Sequence, residues 1–384
     1  MSSTQSCGVL LGPDVIGVLT RSDLSAFGGF LQASLALVAF QIGSKLTRSE
    51  LRTLSASIGW LALCQLLAPL LAVLAALAIL HFPWSTALIA AAVAPATAPT
   101  TTYAVARRHD ATGPFVDRAL GILAINDALT ILLFSIISTT ATAGLGAQSA
   151  SAEIWTALLP GAAAQVALSL AAGAALGGLY HILCAVLADG TSGWQDRLRA
   201  TLYALLLLAV GAAHAFGLSL LLTTLAMGAV VANGVRETEE EATRATVGDI
   251  EQPLYMIFFV LAGAHLPATD FVGHRAILIA AAAYVLARLA GKYVAIFLGA
   301  TALRLDRATR CYLGLCFPSQ GGAAIGLVLA YNGSPAVRAL SPTASSQVET
   351  AVSIVLLGVL LSEIFGPTLI DYAFRHGSKG SRSA

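Results

Sequence analysis

The chain has 384 residues, of which 57% are hydrophobic and only 11% charged, with a net charge of +1 and a mean hydropathy of +0.81. Soluble domains carry about 25% charged residues, so this composition excludes a soluble globular protein. Basic clusters with interleaved aromatic residues are lacking, which argues against a nucleic-acid partner. The five cysteines are scattered in apolar segments without the spacing of a metal site, so we expect neither a metal cofactor nor disulfides.

Apolar stretches long enough to cross a ~30 Å hydrocarbon core as helices recur along the whole chain. They predict an all-α, polytopic membrane protein with about 12 transmembrane segments. The first segment is short and contains a Gly-Pro pair, so we expect a helix whose beginning is missing. The segments are placed approximately at 7–19, 27–43, 55–80, 85–106, 115–142, 154–187, 199–216, 218–234, 253–268, 276–302, 310–331 and 347–374.

Lysine and arginine are distributed unevenly between the two sides of the membrane when these segments cross it alternately. One side collects 16 of the 21 basic residues and the other only three, while Arg288 and Lys292 lie inside the tenth segment. Cytoplasmic loops carry the excess of positive charge in membrane proteins, so the C-terminus is predicted to be cytoplasmic. A misplaced segment would scramble this asymmetry, which therefore also supports the segmentation.

Two predicted segments contain helix-breaking residues near their middle. The fourth has Pro95 and Pro99, and the eleventh has Pro318 followed by Gly321 and Gly322. Proline removes a backbone donor and glycine relaxes the backbone, so each segment can unwind inside the membrane. Either segment alone indicates a simple proline kink. Together they occupy corresponding places in segments 3–5 and 10–12, which is typical of the substrate site of a transporter built from inverted repeats.

Asn126 and Asp127 lie deep inside the fifth segment, in an apolar run from Leu120 to Phe134. An ionised carboxylate at that depth costs at least ~2.5 kcal/mol, so such residues usually serve a function. A carboxylate can bind either a proton or a metal cation, which is what exchange by competition requires. The alternative is a structural ion pair in which Lys292 neutralises Asp127. We favour the functional interpretation, with Asp127 and Asn126 as ion- and proton-binding residues.

Further polar residues lie at the interrupted helices or in the segments that flank them. Arg288 and Lys292 share a helical face and could provide a counter-charge to Asp127 or to half-helix ends. Arg288 could instead pair with Glu363, the other acid well inside a segment. Hydroxyl groups also bond back to their own helix, which is their ordinary role. Oxygen ligands for a dehydrated monovalent cation are available on Thr97, Thr100, Thr101, Ser319 and Gln320.

Several short stretches, taken in order, resemble a known family. They include Asn126-Asp127, the run from Arg288 to Lys292, Gln320-Gly321-Gly322 and the run from Ser362 to Pro367. Together with Leu11-Gly12-Pro13, Thr97-Ala98-Pro99, 216–219 and 258–263, they cover nearly the whole chain. The chain resembles the monovalent cation:proton antiporter superfamily, which has the sodium/proton exchanger fold. The bacterial cation:proton antiporter-2 branch is the most similar.

The resemblance implies thirteen helices in a core domain and a dimerisation scaffold, with the core sliding past the scaffold like an elevator. The core would comprise about 55–143 and 276–374, the scaffold about 1–54 and 199–270, and a linker helix about 154–187. The implied activity is exchange of Na⁺ or K⁺ for H⁺ by a homodimer in the lipid of a bacterial inner membrane, without a cofactor. The family's first helix is expected to be missing here.

Matched residue by residue, Asp127 resembles the family's ion-binding aspartate and Asn126 its partner. Residues 97–101 resemble the unwound stretch of the first broken helix, and Lys292 resembles the basic residue that faces the site. The branch often has two aspartates where this chain has Asn126-Asp127. With one exchangeable carboxylate the simplest cycle is electroneutral, whereas a proton released by Lys292 would make transport electrogenic.

Two other functions stay open at this stage. One is a sodium-coupled symporter for an organic anion, which related inverted-repeat folds perform but which the sparse polar inventory disfavours. The other is a channel or sensor that has kept the fold and lost turnover. The motifs of intramembrane metalloproteases, serine proteases and aspartyl proteases are absent from the hydrophobic segments, so an enzyme is not expected.

Overall fold

A computed structural model describes most of the chain, and within the described residues the regular structure is entirely helical. These residues are 7–8, 10–13, 15–48, 55–146, 152–187, 194–234, 256–258, 260–261, 263–264 and 275–380. Numbered in chain order, these helices begin with α1 (Arg21–Ala26), α2 (Gly28–Ser44), α3 (Ala56–Ile79), α4 (Trp84–Val93), α5 (Pro99–Arg108), α6 (Pro114–Gly146), α7 (Ala152–Leu187), α8 (Trp194–Phe216), α9 (Leu220–Gly234) and α10 (Arg275–Ala302). They are followed by α11 (Arg307–Tyr312), a 3₁₀ helix (Leu313–Cys316), α12 (Gly322–Asn332), α13 (Pro335–Arg338) and α14 (Pro342–Gly380).

Six helices in the described part of the chain are long and apolar enough to cross a membrane. They are α3, α10 and the greater parts of α6, α7, α8 and α14. Shorter apolar helices, α2, α4, α9 and α12, lie between them. Helices satisfy their own backbone hydrogen bonds, which is why they are the elements that apolar runs of this length form in lipid. The protein is an integral membrane protein, as its composition predicts.

The predicted segments agree with the helices except near the N-terminus. Of the first predicted segment, 7–19, residues 7–8 and 10–11 are helical, and the backbone then turns. The turn follows from Gly12-Pro13, because the residue before a proline avoids the helical region, and from Gly17, whose φ is +73°. The ninth predicted segment is described in part, and its described residues are helical; they are 256–258, 260–261 and 263–264. The remainder of that segment and the acidic run at 237–241 lie outside the described residues.

Helices α2, α7 and α9 pack so closely that their backbones touch. A Cβ atom on Gly228 of α9 would lie 2.1 Å from the carbonyl oxygen of Phe40, and one on Gly43 of α2 would lie 1.9 Å from that of Leu225. Gly173 of α7 meets α9 in the same way. Small residues permit this approach, which drives helix association in lipid. These helices, with α8, form one group within the molecule.

A second group contains α3, α4, α6, α10 and α14 together with the interrupted helices. Helices α3 and α10 form its most extensive contact, in which Gly291 lies against the backbone of Pro69. Leu70, Val73 and Ile131 lie in a buried apolar core that extends from this group to α2 and α9. The group therefore surrounds the interrupted helices with packed side chains, which freed backbone groups require at membrane depth.

The interruptions predicted in the fourth and eleventh segments are present. Helix α4 ends at Val93 and α5 begins at Pro99, with non-helical backbone at 94–98 between them. The second interruption lies between the 3₁₀ helix and α12, at residues 317–321. Pro95 and Pro318 lie in the non-helical stretches and Pro99 starts the next helix, as the geometry of proline favours.

Candidate functional site

The two interrupted helices meet at their non-helical stretches. The backbone N–H of Ala98 donates a hydrogen bond of 3.0 Å to the carbonyl oxygen of Ser319. The amide Nε2 of Gln320 donates to the carbonyl oxygen of Val93, the last residue of α4, over 3.1 Å. Residues 91–98 and 316–322 are all buried. Hydrogen bonds between the two stretches thus pair some of the backbone N–H and carbonyl groups that the interruptions free.

Arg288 of α10 binds both stretches at once. Its Nε donates to the carbonyl oxygen of Ala94 over 2.9 Å, and its Nη2 donates to that of Ala96 over 2.7 Å. On the other stretch, Nη1 donates to the carbonyl oxygen of Pro318 over 2.6 Å, and Nη2 contacts that of Ser319 over 3.4 Å. The side chain is 0% exposed. A planar guanidinium carries five donors in a fixed arrangement, which is why one arginine can satisfy four carbonyl groups here.

Lys292, one turn further along α10, donates from Nζ to the carbonyl oxygen of Pro95 over 2.7 Å. Both lysine and arginine therefore lie at the C-terminal ends of the first half-helices, where carbonyl groups give a partial negative charge. Lys292 and Asp127 are both described, and no direct ion pair joins them. The charges of Lys292 and Asp127 nevertheless interact, so the alternative in which Lys292 neutralises Asp127 stays a prediction.

Asp127 lies on α6 beside the first interruption and is 6% exposed. Its Oδ1 atom accepts from the backbone N–H and from the hydroxyl group of Thr97, each over 3.4 Å. These distances are at the outer limit of a hydrogen bond, so the carboxylate is held loosely. Thr97 precedes α5, and the positive end of that half-helix faces the carboxylate.

Asn126 completes this arrangement from the same helix. Its Nδ2 donates to the carbonyl oxygen of Pro95 over 2.9 Å and to the hydroxyl oxygen of Thr97 over 3.2 Å. Its Oδ1 is buried and has no hydrogen-bond partner. A buried, unpartnered amide oxygen is costly unless a ligand or water completes it. The carboxylate of Asp127 and this amide oxygen, supplied by adjacent residues, are the kind of oxygen ligands that a hard cation takes.

The remaining predicted residues separate into two places. Thr97 lies at Asp127, whereas the hydroxyl group of Thr101 contacts that of Ser319 over 3.4 Å, and Ser319 donates its hydroxyl proton to Glu363. Thr100 is exposed. The structure therefore brings Thr97 to the carboxylate and links Thr101 to Ser319 instead. Gln320 helps to bind the two interruptions together.

Two residues of this region were not singled out from the sequence. The hydroxyl group of Tyr284 accepts from Nε2 of Gln320 over 2.8 Å, and Thr102 donates to the carbonyl oxygen of Cys316 over 2.9 Å. Tyr284 lies one helical turn before Arg288, so the spacing rule that pairs Arg288 with Lys292 also points to it. Thr102 carries no comparable sequence signal, because its partner is a backbone carbonyl group far away in the chain.

Comparisons with known proteins agree with this architecture. The structure of the sodium proton antiporter MjNhaP1 from Methanocaldococcus jannaschii at pH 8 is similar, with a TM-score of 0.72 and 16% identity, over 97% of this chain and 91% of that chain. A second MjNhaP1 structure, from an electron-microscopy map, gives a TM-score of 0.63 and 15% identity, over 94% of this chain and 88% of that chain. At such identities the likeness shows the fold.

A comparison with curated protein sequences gives no match. The family model described as "Sodium/hydrogen exchanger, transmembrane" matches residues 5–372, which is nearly the whole chain. This match agrees with the resemblance seen in the sequence and with the interrupted, crossing helices of the structure. The chain belongs to the sodium/hydrogen exchanger family.

Proposed function

We propose that this protein exchanges a monovalent cation, Na⁺ or K⁺, for H⁺ across the membrane, and that Asp127 binds the cation and the proton in competition. The observation that carries the proposal is the pairing of a loosely held carboxylate with a buried amide oxygen that has no partner. Both groups lie where two helices are interrupted inside the membrane. Intramembrane acids of this kind mark ion and proton pathways.

The competition follows from the chemistry of the carboxylate. Ionised Asp127, with Oδ1 of Asn126 beside it, offers oxygen atoms to a cation that has shed part of its water. A proton on Asp127 removes the negative charge that holds the cation. Because the two ligands exclude each other, carrying one across the membrane in one direction drives the other in the opposite direction. One carboxylate then exchanges one cation for one proton.

Arg288 and Lys292 support this site without taking part in the exchange. Their charges lie against carbonyl oxygens at the ends of half-helices, where they offset the partial negative charge of those ends. This keeps the two interruptions together while the charge at Asp127 changes. A charge on Lys292 that stays fixed throughout the cycle would make the exchange electroneutral, because only Asp127 would then release a proton.

Alternating access would result from an elevator motion between the two groups of helices. The group with the interrupted helices, about 55–143 and 276–374, would be the moving core. The helices at about 1–54 and 199–270 would form the static scaffold and the homodimer contact, with 154–187 as a linker. A cavity of about 330 Å³ lies between the groups and is lined by residues of both, including Ser135, Thr139, Ser219 and Tyr331. The C-terminus is proposed to lie on the cytoplasmic side of a bacterial inner membrane.

Transport in proteoliposomes tests the proposal directly. Purified protein is reconstituted with a pH-sensitive dye inside the vesicles, and Na⁺ or K⁺ is added outside. We expect proton movement in the wild type and its loss, by at least ~100-fold, in Asp127→Asn, because the amide binds neither a proton nor a cation strongly. Asp196→Asn, which changes an exposed acid at the start of α8, is the matched control and should exchange at the wild-type rate.

Two results would overturn this assignment. Exchange by Asp127→Asn at the rate of the wild type would show that the carboxylate is not the shared site. Uptake of a labelled organic acid together with Na⁺, without proton movement, would indicate a symporter instead.

A further inference from the structure

Glu363 is a second carboxylate at the crossing of the interrupted helices, and the exchange cycle does not use it. It lies on α14 and is partly buried. The hydroxyl group of Ser319 donates to its Oε1 atom, and the backbone N–H of Gln320 and the charge of Arg288 also interact with it. Both donors come from the stretch that precedes α12, so the carboxylate faces the positive end of that half-helix.

Asp127 and Glu363 occupy equivalent places in the two halves of the crossing. Each carboxylate comes from the helix that follows an interrupted one, and each meets the residues just before the second half-helix begins. The surroundings differ in one respect. Both accept donors from the adjoining non-helical stretch, but the contacts of Asp127 with Thr97 are long, at 3.4 Å, and an unpartnered amide oxygen lies beside it, whereas Glu363 accepts a short hydrogen bond from Ser319. The first arrangement is open to a cation, and the second is already satisfied by the protein.

A short chain of contacts connects Glu363 with the site at Asp127. Ser319, which Glu363 holds by its hydroxyl group, accepts the backbone hydrogen bond of Ala98 at its carbonyl oxygen. Ala98 follows Thr97, whose N–H and hydroxyl groups contact Asp127. A displacement of Ser319 therefore moves the backbone that presents Thr97 to the carboxylate.

Packing on α14 supports the same role independently. A Cβ atom on Gly366 would lie 2.9 Å from the Cα atom of Ser319 and 3.0 Å from its Cβ atom. Gly366 is three residues beyond Glu363, so both share a helical face. One face of α14 thus holds Ser319 by a hydrogen bond to Glu363 and by backbone contact at Gly366.

We propose that Glu363 is a positioning residue for the cation site: its carboxylate anchors Ser319, and through Ser319 it fixes the register of the two interrupted helices that present Thr97 to Asp127. This inference rests on the proposed function of Asp127. It assigns to Glu363 a constant charge and no part in carrying the proton or the cation.

Cation titrations of exchange in proteoliposomes test the role. Glu363→Gln keeps the shape of the side chain and removes its charge. We expect the KM for Na⁺ to rise about tenfold, because a charge-assisted hydrogen bond to Ser319 is lost, while the maximal rate stays within about twofold of the wild type. Glu349→Gln removes an exposed carboxylate from the same helix and should leave both values unchanged.

Further variants, with a control, separate positioning from a loss of folding. Ser319→Ala should raise KM to a similar extent, and the double variant Ser319→Ala/Glu363→Gln should be no worse than the more severe single variant, because both remove one contact. Gly366→Ala should raise KM with Glu363 intact, since its Cβ displaces Ser319, whereas Gly59→Ala, on an open face of α3, should not.

The outcomes distinguish this inference from the function on which it rests. If Asp127→Asn loses exchange and Glu363→Gln has the KM of the wild type, only the role of Glu363 is wrong. A lower maximal rate at unchanged KM in both Glu363→Gln and Ser319→Ala would indicate that Glu363 merely stabilises the fold. The inference would also be overturned if the increases in KM of the two single variants added up in the double variant. If Asp127→Asn exchanges like the wild type, the proposed function fails, and so does the inference.

Discussion

At the scale of single residues, the site combines groups that the protein satisfies with one that it leaves open. Arg288, Lys292 and Gln320 are buried and bind backbone carbonyl groups of the interruptions. The Oδ1 atom of Asn126 is buried without a partner. Because native proteins rarely leave such an atom unpaired, its place beside Asp127 is informative about function.

The role of Asn126 can be tested separately from that of Asp127. We expect Asn126→Ala to raise the KM for Na⁺ about tenfold, since it removes one oxygen ligand and the donor that orients Thr97. Cation-dependent exchange in proteoliposomes provides the measurement. Thr130→Val is the control, because Thr130 is buried one turn further on and donates only to the carbonyl oxygen of Asn126. An unchanged KM in Asn126→Ala would show that the amide does not contribute to the cation site.

At the scale of elements, the interrupted helices are held at their outer ends by caps and ion pairs. Asp306 precedes α11, and its carboxylate accepts from the backbone N–H of Thr309 over 2.9 Å. Arg118, at the start of α6, donates to the same carboxylate over 2.7 Å. This contact joins the helix that carries Asp127 to the beginning of the second interrupted helix. A capping carboxylate also interacts favourably with the helix dipole.

The cap at Asp306 should make stability depend on pH. Partial burial alone would raise the pKa of this carboxyl group, but hydrogen bonds from Thr309 and the charge of Arg118 lower the pKa below its ordinary value. A carboxyl group with a lowered pKa in the folded state stabilises the protein above its unfolded pKa of about 3.9, and this stabilisation is lost as the pH falls through the lower, folded value.

We therefore expect Asp306→Ala to lower the free energy of unfolding by about 1 kcal/mol at pH 7, mainly through the lost cap, since the exposed part of the ion pair contributes little. The difference from the wild type should shrink below a pH of about 4. Thermal unfolding in detergent at several pH values measures it, and Glu349→Gln, at an exposed position on α14, should show no such dependence. A difference that is constant with pH would mean that the carboxylate does not act as a charged cap.

At the scale of the whole molecule, glycines permit backbone contact within each group of helices, and apolar side chains pack between the two groups. Glycines bring α2, α7 and α9 into backbone contact, and Gly291 does the same between α3 and α10. Between the groups lies the cavity of about 330 Å³, crossed by a hydrogen bond of 3.2 Å between the hydroxyl groups of Ser135 and Ser219. The proposed motion would rearrange the lining of this cavity and would also break apolar contacts between the groups, such as the packing of Leu35 of α2 against Gly326 of α12.

The proposed stoichiometry makes a prediction for the complete transport cycle. One Na⁺ for one H⁺ moves no net charge, so a membrane potential of about 100 mV should leave the ion gradients at equilibrium unchanged. An electrogenic cycle would gain about 2.3 kcal/mol per charge at that potential, which corresponds to roughly a 50-fold change in the gradient ratio. Proteoliposomes with the voltage held at set values measure this. A shift of that size would show that Lys292 or another group carries a second proton.

The sequence by itself determined the class of the protein, the positions of most helices and the two interruptions, and it singled out Asp127 as a candidate. Hydropathy and the effects of proline and glycine on the backbone depend on a few neighbouring residues, so the sequence is enough to predict helices and their interruptions. The family match confirms the resemblance that the ordered motifs indicate. The identity of the cation ligands and the role of Asp127 stay proposals.

Only the tertiary structure decided which groups meet. Arg288 binds the carbonyl oxygen of Ala94, 194 residues away, and Glu363 accepts from Ser319, which in turn contacts Thr101. Lys292 donates to a backbone carbonyl group and forms no ion pair with Asp127. The physical reason is that these partners are mostly carbonyl oxygens freed by unwinding, which every residue possesses. The pattern of side chains along the sequence therefore cannot identify these partners, which come together only where the helices cross.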